Sequence, residues 1–343
     1  MRMVKAARFH KVGEPLKLEE VQKPRVGENE VLLKVKAAGM CHSDIHVIDG
    51  IIAAATPVTL GHEIAGEVEE VGVNVKNFKH GDRALVHFLS PCGACSYCLE
   101  GNGMICENLF TRPGYGFSVD GGYAEYCKVD AERLVPLPDM PWDFAATLGC
   151  AGITAYHAVT RIAKVKLADN IAIYGVGGVG MYALQIAKLS GAKVIAIGRN
   201  QQKLKMAESL GADHIINAST SKIKDEIRKF TNGKGVDVMV DFVVSDESIK
   251  NSSSSLANGG KMVIVGVSSK PISINPQVFV LKEFSLAGSL VGNKNELEEL
   301  VDLAKSGRLK STVTQRFTLD EINSALEALR KGEIVGRGYI IIQ

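Results

Sequence analysis

Ile171-Ala172-Ile173-Tyr174-Gly175-Val176-Gly177-Gly178-Val179-Gly180 decides the fold. A short apolar run ends in a Gly-x-Gly-x-x-Gly turn, and a second run with helical composition continues to Leu189, so the segment reads as strand, tight turn and helix. In that setting the glycines have a mechanism. Gly175, Gly177, Gly178 and Gly180, with Val179 among them, permit the turn, let a pyrophosphate approach the backbone and let helix and sheet pack closely. The helix N-terminus adds unpaired N–H groups and the positive end of its dipole. Dinucleotide binding is the expectation, and a purely structural glycine turn is the alternative.

Outward from this turn the rhythm persists. Strand-like Val194 to Ile197, helical Gln201 to Leu210, strand-like His214 to Asn217, a helix near Lys222 to Phe230, and the strands Val236 to Val243 and Lys261 to Val267 alternate, which builds a doubly wound parallel sheet. Upstream of residue 150 the pattern is different. Glu30 to Ala37, Glu67 to Val71, Arg83 to Val86 and Tyr123 to Val129 are short strands broken by Gly and Pro, an irregular and mostly β domain. A helix at Asn295 to Lys305 and a strand at Tyr339 to Ile342 close the chain. The serine run Ser252 to Ser255 reads as a solvated helix face, because serine neither drives nor forbids a helix.

A chain of 343 residues, 46% hydrophobic and 23% charged, is long enough for two domains and too apolar to be disordered. Forty Lys+Arg against 38 Asp+Glu leave a net charge of +2, which gives no footprint for nucleic acid or an anionic membrane. A small molecule is the expected partner. No apolar run approaches the ~20 residues of a membrane helix, and the first residues show no secretory signal, so the cytoplasm is the expected address.

Seven cysteines are present, and Cys92-x2-Cys95-x2-Cys98-x7-Cys106 places four of them on one loop. Thiolates so close repel one another unless a dication neutralises them, and tetrahedral zinc with four sulfurs leaves no open position, hence a structural site. A redox Cys-x-x-Cys pair and an iron–sulfur cluster are the competing readings. Three further segments carry metal-ligand chemistry: Cys41-His42-Ser43-Asp44-Ile45-His46, Gly61-His62-Glu63, and Gly149-Cys150.

Taken in order, the Gly61-His62-Glu63-x2-Gly66-x5-Gly72 motif, the four-cysteine loop and the glycine turn resemble the zinc-containing alcohol dehydrogenases of the medium-chain dehydrogenase/reductase superfamily over essentially the whole chain. The resemblance implies an α/β chain with a GroES-like, mostly β catalytic domain, residues 1–152 with 289–343 returning to it. It further implies a Rossmann domain over residues 153–288 and an active site in the cleft separating the two. It implies that Cys41, His62 and Cys150 hold a catalytic zinc, with Glu63 as the nearby carboxylate able to replace water and Asp44 orienting His62. Ser43 and His46 match the family's proton relay, His42 and Arg337 match contacts to the cofactor pyrophosphate, and Thr154 matches a residue beside the nicotinamide. One catalytic and one structural zinc per chain and a homo-oligomer, tetramer or dimer, follow from the same likeness, with Phe284 to Leu290 as the pairing strand. Zinc-independent reductases of activated C=C bonds and non-catalytic binding proteins are the alternatives within the superfamily, and both should lack the ligand set.

The chemistry of the residues agrees with this. Three protein ligands and one open position are what catalytic zinc requires, and such an ion lowers the pKa of bound water from ~15.7 to ~7. Cys150 stands where polyol and threonine dehydrogenases usually carry glutamate, which favours simple alcohols and aldehydes. Ile51 and Ile52 either line an apolar pocket or fill a loop core. At the end of the second Rossmann strand, where an acid normally receives the ribose 2′-hydroxyl of NAD, the chain has Gly198-Arg199-Asn200 and no acid before Glu208. A missing acid and a gained cation favour NADP over NAD.

Overall fold

The computed structural model describes residues 2–342. Two compact units divide the chain: Met1–Ala151 with Asn293–Lys305 and Val313–Gln343 form one, and Gly152–Gly292 with Ser306–Thr312 form the other. Ser306–Thr312 therefore leaves the stretch expected to return to the first unit. Its Lys310 is held in the second unit at both backbone groups, Lys310 N donating to Gln185 Oε1 (2.8 Å) and Lys310 O accepting from Gln185 Nε2 (3.2 Å).

The first unit contains strands β1 (Met3–Phe9), β2 (Lys17–Gln22), β3 (Glu30–Gly39), β4 (Val58–Thr59), β5 (Glu63–Val71), β6 (Arg83–Val86), β7 (Tyr126–Asp130) and β8 (Leu134–Pro136). The second contains β9 (Asn170–Tyr174), β10 (Lys193–Gly198), β11 (His214–Asn217), β12 (Val236–Asp241), β13 (Leu256–Ile264) and β14 (Ser285–Gly288), after which β15 (Val313–Thr318) and β16 (Arg337–Ile341) rejoin the first. A three-stranded sheet, β2-β1-β4, accompanies a seven-stranded one, β15-β16-β3-β5-β6-β8 with β7 paired to β3. The antiparallel register of β3 on β5 sets Gly39 opposite Glu63, so the chain entering Cys41 runs beside His62. A Cβ at position 39 would stand 1.9 Å from Glu63 Oε2, and glycine there makes room for that side chain.

In the second unit the order β11-β10-β9-β12-β13-β14, all parallel, is the doubly wound dinucleotide-binding arrangement. Its core is aliphatic, built on Ala172, Ile195, Ile197, Met239 and Met262. Strand β13 begins at Leu256, five residues before the expected start, because Leu256 pairs with Val236 across a register shift that the Asn-Gly-Gly stretch accommodates. The serine run lies on the helix Asp246–Ser255, but its face is not solvated: Ser252 and Ser255 are fully buried. Ser255 Oγ donates to Asn251 O at 2.7 Å, and this back-bonding to the preceding turn lets a hydroxyl enter the interior.

Candidate active site and metal centres

Four ligand groups of the first unit, Cys41, His62, Glu63 and Cys150, converge until their ligand atoms lie within 4.8 Å of one another. Cys41 is the N-cap of the short helix His42–Ile48, where its sulfur accepts from Ser43 N (3.5 Å) and its own N–H donates to Asp44 Oδ2 (3.1 Å). Glu63 opens β5, and His62 directly precedes it. Cys150 lies in a π-helical turn, Leu148–Gly152, that continues the helix Trp142–Thr147. Such turns widen the helix locally and frequently mark functional positions.

Asp44 is fully buried and satisfied by three donors: Cys41 N, Gly61 N (3.3 Å) and Tyr123 Oη (2.8 Å). Its Oδ1 lies 3.3 Å from His62 Nδ1, an ion-pair approach without hydrogen-bond geometry. The His62 ring is packed between Phe88 and Phe117, with centroids at 4.9 and 4.8 Å. Glu63 Oε2 accepts from Arg337 Nη2, and both residues are buried. Burial pushes the Glu63 carboxyl up to about 7, although Arg337 opposes the rise. A hydrogen bond from Cys150 draws the Cys41 thiol well below its ordinary value and raises that of Cys150.

This donor set fits a dication. Besides His62 Nδ1, which faces Asp44, two buried atoms of the set, His62 Nε2 and Glu63 Oε1, have no hydrogen-bond partner among the described residues, and the sulfurs of Cys41 and Cys150 lie beside them. A cation among them would satisfy both atoms and favour the thiolate form of the two sulfurs. Cys92, Cys95, Cys98 and Cys106 form the other group, also within 4.8 Å and with no disulfide. Cys92 Sγ accepts from Ala94 N (3.4 Å) and Cys95 N (3.3 Å), and these backbone donors draw its pKa down to about 6. Cys106 Sγ likewise accepts from Cys92 N and Asn108 N. Amides aimed at sulfur favour thiolates, the form that binds metal.

The remaining expected site residues fall as follows. Ser43 Oγ is 3.6 Å from Cys41 Sγ, and His46 Nδ1 is buried without a partner among the described residues. His42 is exposed on the same helix. Arg337 engages Glu63, a partner that the sequence did not indicate, and Tyr123, Phe88 and Phe117 carried no motif that would have marked them. Ile51 is 44% exposed, so it is not loop core. In the second unit, Thr154 is half-buried on the helix Ile153–Tyr156. Gly175 and Gly180 bracket the turn, where a Cβ on Gly180 would stand 2.1 Å from Gly175 O, while at Gly177 a Cβ would meet nothing within 4 Å. The twelve-residue helix Gly178–Leu189 therefore packs tightly on the turn and leaves open space at its N-cap, as a bound pyrophosphate requires.

These features define a metal-dependent dehydrogenase, and comparison with known proteins gives its family. Residues 27–139 match the alcohol dehydrogenase GroES-like domain and residues 178–306 match the zinc-binding dehydrogenase domain. A NAD-dependent alcohol dehydrogenase of Sulfolobus acidocaldarius is 38% identical over 349 residues, covering 97% of this chain and 98% of that one. The structure of an alcohol dehydrogenase from the hyperthermophilic archaeon Aeropyrum pernix superposes with a TM-score of 0.91 at 38% identity, covering 98% of this chain and 99% of that one. A zinc-binding dehydrogenase structure from Sinorhizobium meliloti bound to NADP gives 0.90 at 28% identity, covering 99% of this chain and all 100% of its own. The chain belongs to the zinc-type alcohol dehydrogenases of the medium-chain dehydrogenase/reductase superfamily, and it is an oxidoreductase of that class. Among the described residues no helix is long and apolar enough to cross a membrane.

Proposed function

We propose that the enzyme interconverts simple alcohols with their aldehydes or ketones and prefers NADP(H) to NAD(H). In this reading Cys41, His62 and Cys150 hold a catalytic zinc and the four-cysteine loop holds a structural one. The observation that carries it is the buried set of two sulfurs, one imidazole and one carboxylate in which His62 Nε2 and Glu63 Oε1 have no partner among the described residues. When bound, zinc supplies the Lewis acidity that makes a substrate hydroxyl acidic, and nicotinamide takes up or returns the hydride. The chain's own residues do the rest. Asp44 fixes the His62 ring, Glu63 waits inside the ligand set under the control of Arg337, Ser43 Oγ receives the substrate proton, and the unpaired Nδ1 of His46 passes it outward. The glycine turn receives the pyrophosphate, with His42, Thr154 and Arg337 assigned to the cofactor.

The cofactor preference is supported by the end of β10. Asn200 Oδ1 is engaged in capping the next helix, accepting from Gln202 N (2.9 Å) and Lys203 N (3.1 Å), and Gly198 offers no side chain. Arg199, its side chain 67% exposed and paired with Glu247 at 2.7 Å, is the cation that the strand end offers to a 2′-phosphate. Chain association through β14 is supported by its place at the sheet edge beside exposed Val280, Leu281 and Leu290.

The test is kcat/KM with both cofactors on protein of known zinc content, using an aldehyde and NADPH as the first assay. Arg199→Ala should lower the preference for NADP(H) by roughly 10- to 150-fold. A wild-type ratio favouring NAD(H) contradicts the preference. A zinc-free protein that reduces activated C=C bonds contradicts the whole reading.

A further inference from the structure

We propose that Glu247 is a specificity-determining residue for the nicotinamide cofactor, a carboxylate brought to the end of β10 from another segment and set to compete with a 2′-phosphate for Arg199. The proposal rests on the dinucleotide reading above and adds to it a residue that no motif marks.

Position 198 cannot itself supply the acid. A Cβ there would stand 2.9 Å from Val176 Cγ2 and 3.6 Å from Leu204 Cδ2, and both of those side chains are buried. The next acid in sequence, Glu208, is on the helix Gln201–Ser209. Yet a carboxylate is present. Glu247 Oε2 accepts from Arg199 Nη2 at 2.7 Å, across 48 residues of sequence.

A built turn places it. After β12, Asp241 Oδ1 accepts from Val243 N (2.8 Å) and Val244 N (3.0 Å), and Val244 takes a φ of +50° that a β-branched residue adopts only under constraint. Ser245 then caps the helix Asp246–Ser255, with Ser248 completing the reciprocal box, so Glu247 falls in the first turn. Farther along the same helix, Asn251 Nδ2 lies 3.4 Å from the hydroxyl of Tyr174, the last residue of β9. Helix and sheet edge are thus tied together beside the pair.

Both side chains of the pair are more than half exposed, 67% for Arg199 and 55% for Glu247, so the pair is weak and open to exchange. A 2′-phosphate offers the guanidinium a stronger, doubly charged partner, but only after Arg199 leaves Glu247, which then faces the phosphate as a like charge. A 2′-hydroxyl instead finds in Glu247 the acceptor that other dinucleotide sites place at the strand end. Glu247 therefore narrows the margin by which NADP(H) is preferred and keeps NAD(H) usable.

The deciding experiment measures dissociation constants for NADPH and NADH by fluorescence titration, at low and moderate salt. It compares the wild type, Glu247→Gln, Arg199→Ala and the double variant. Glu247→Gln should move the ratio toward NADPH by roughly threefold to tenfold, with less effect at higher salt and none in the Arg199→Ala background. A ratio that moves by less than about twofold, or that moves equally with and without Arg199, overturns the proposal. Wild-type protein that binds NADH more tightly, with a ratio still dependent on Glu247, overturns the NADP preference and upholds this role. Protein that binds neither nucleotide overturns both.

Discussion

The two sulfur-rich clusters of the first unit are assembled differently. Cys92, Cys95, Cys98 and Cys106 come from one loop, three of them only half-buried, and backbone amides are their main partners. Cys41, His62 and Cys150 come from three distant segments, are no more than 8% exposed, and are surrounded by charged side chains: Asp44 behind His62, and Arg337 on Glu63. A closed set of like ligands needs only local geometry. An open set needs the sheet register to assemble it, and counter-charges to keep a buried carboxylate and thiolate in place while one position stays available.

Variants of the open set's ligands and proton relay should therefore reach chemistry, whereas variants of its counter-charges and of the closed set should reach stability. The largest expected effect is on turnover: Ser43→Ala should reduce alcohol oxidation ~10²- to 10⁴-fold with cofactor affinity nearly unchanged, and a loss below about threefold would show that the proton leaves by another path. Arg337→Met should come next. It strands the Glu63 carboxylate at zero exposure, and breaking a buried pair typically costs ~3–5 kcal/mol, to be read from denaturant unfolding. Tyr123→Phe removes one of three donors to Asp44 and should weaken metal retention at the open set by about 10- to 100-fold in a chelator competition, with the four-cysteine loop unaffected.

The smallest effect lies at the end of the helix that carries Ser43 and His46. Asp49 forms a two-pronged pair with Arg330 (2.6 and 2.9 Å), and these hydrogen bonds hold its carboxyl below the ordinary value. A depressed folded-state pKa contributes stability above the unfolded-state value and loses it as pH falls through the folded one. Because the pair is partly exposed, Asp49→Asn should thus cost less than ~1 kcal/mol near neutral pH, and nothing once the pH lies below the folded-state pKa of Asp49. A cost that persists in acid would assign the effect to packing.

Legibility followed the same division. The spacing of the four cysteines and the strand–glycine–helix pattern at residues 171–189 are local, and the structure brings those cysteines together and places that turn between β9 and its helix. Long-range pairings are different. Arg337 meets Glu63 across 274 residues, and Tyr123 reaches Asp44 across 79, through tertiary contacts that leave no periodic trace in the residues themselves. Glu247 was hidden for the same reason, since its role arises from the strand order that carries β12 and β10 to either side of β9. The buried serines near residue 252 defeated a polarity argument: the Ser255 hydroxyl finds an acceptor, Asn251 O, in its own helix, and Ser252 is buried although its hydroxyl has no partner among the described residues.

Metal analysis of wild-type, His62→Ala and Cys106→Ser proteins, joined to thermal unfolding and turnover, tests the division of labour most directly. Wild-type protein should hold two zinc ions per chain. His62→Ala should retain one zinc, lose turnover and keep most of its stability; Cys106→Ser should also retain one, lose stability and keep turnover in the fraction that stays folded. One zinc or none in freshly purified wild-type protein, or a His62→Ala protein that still turns over, would contradict that division.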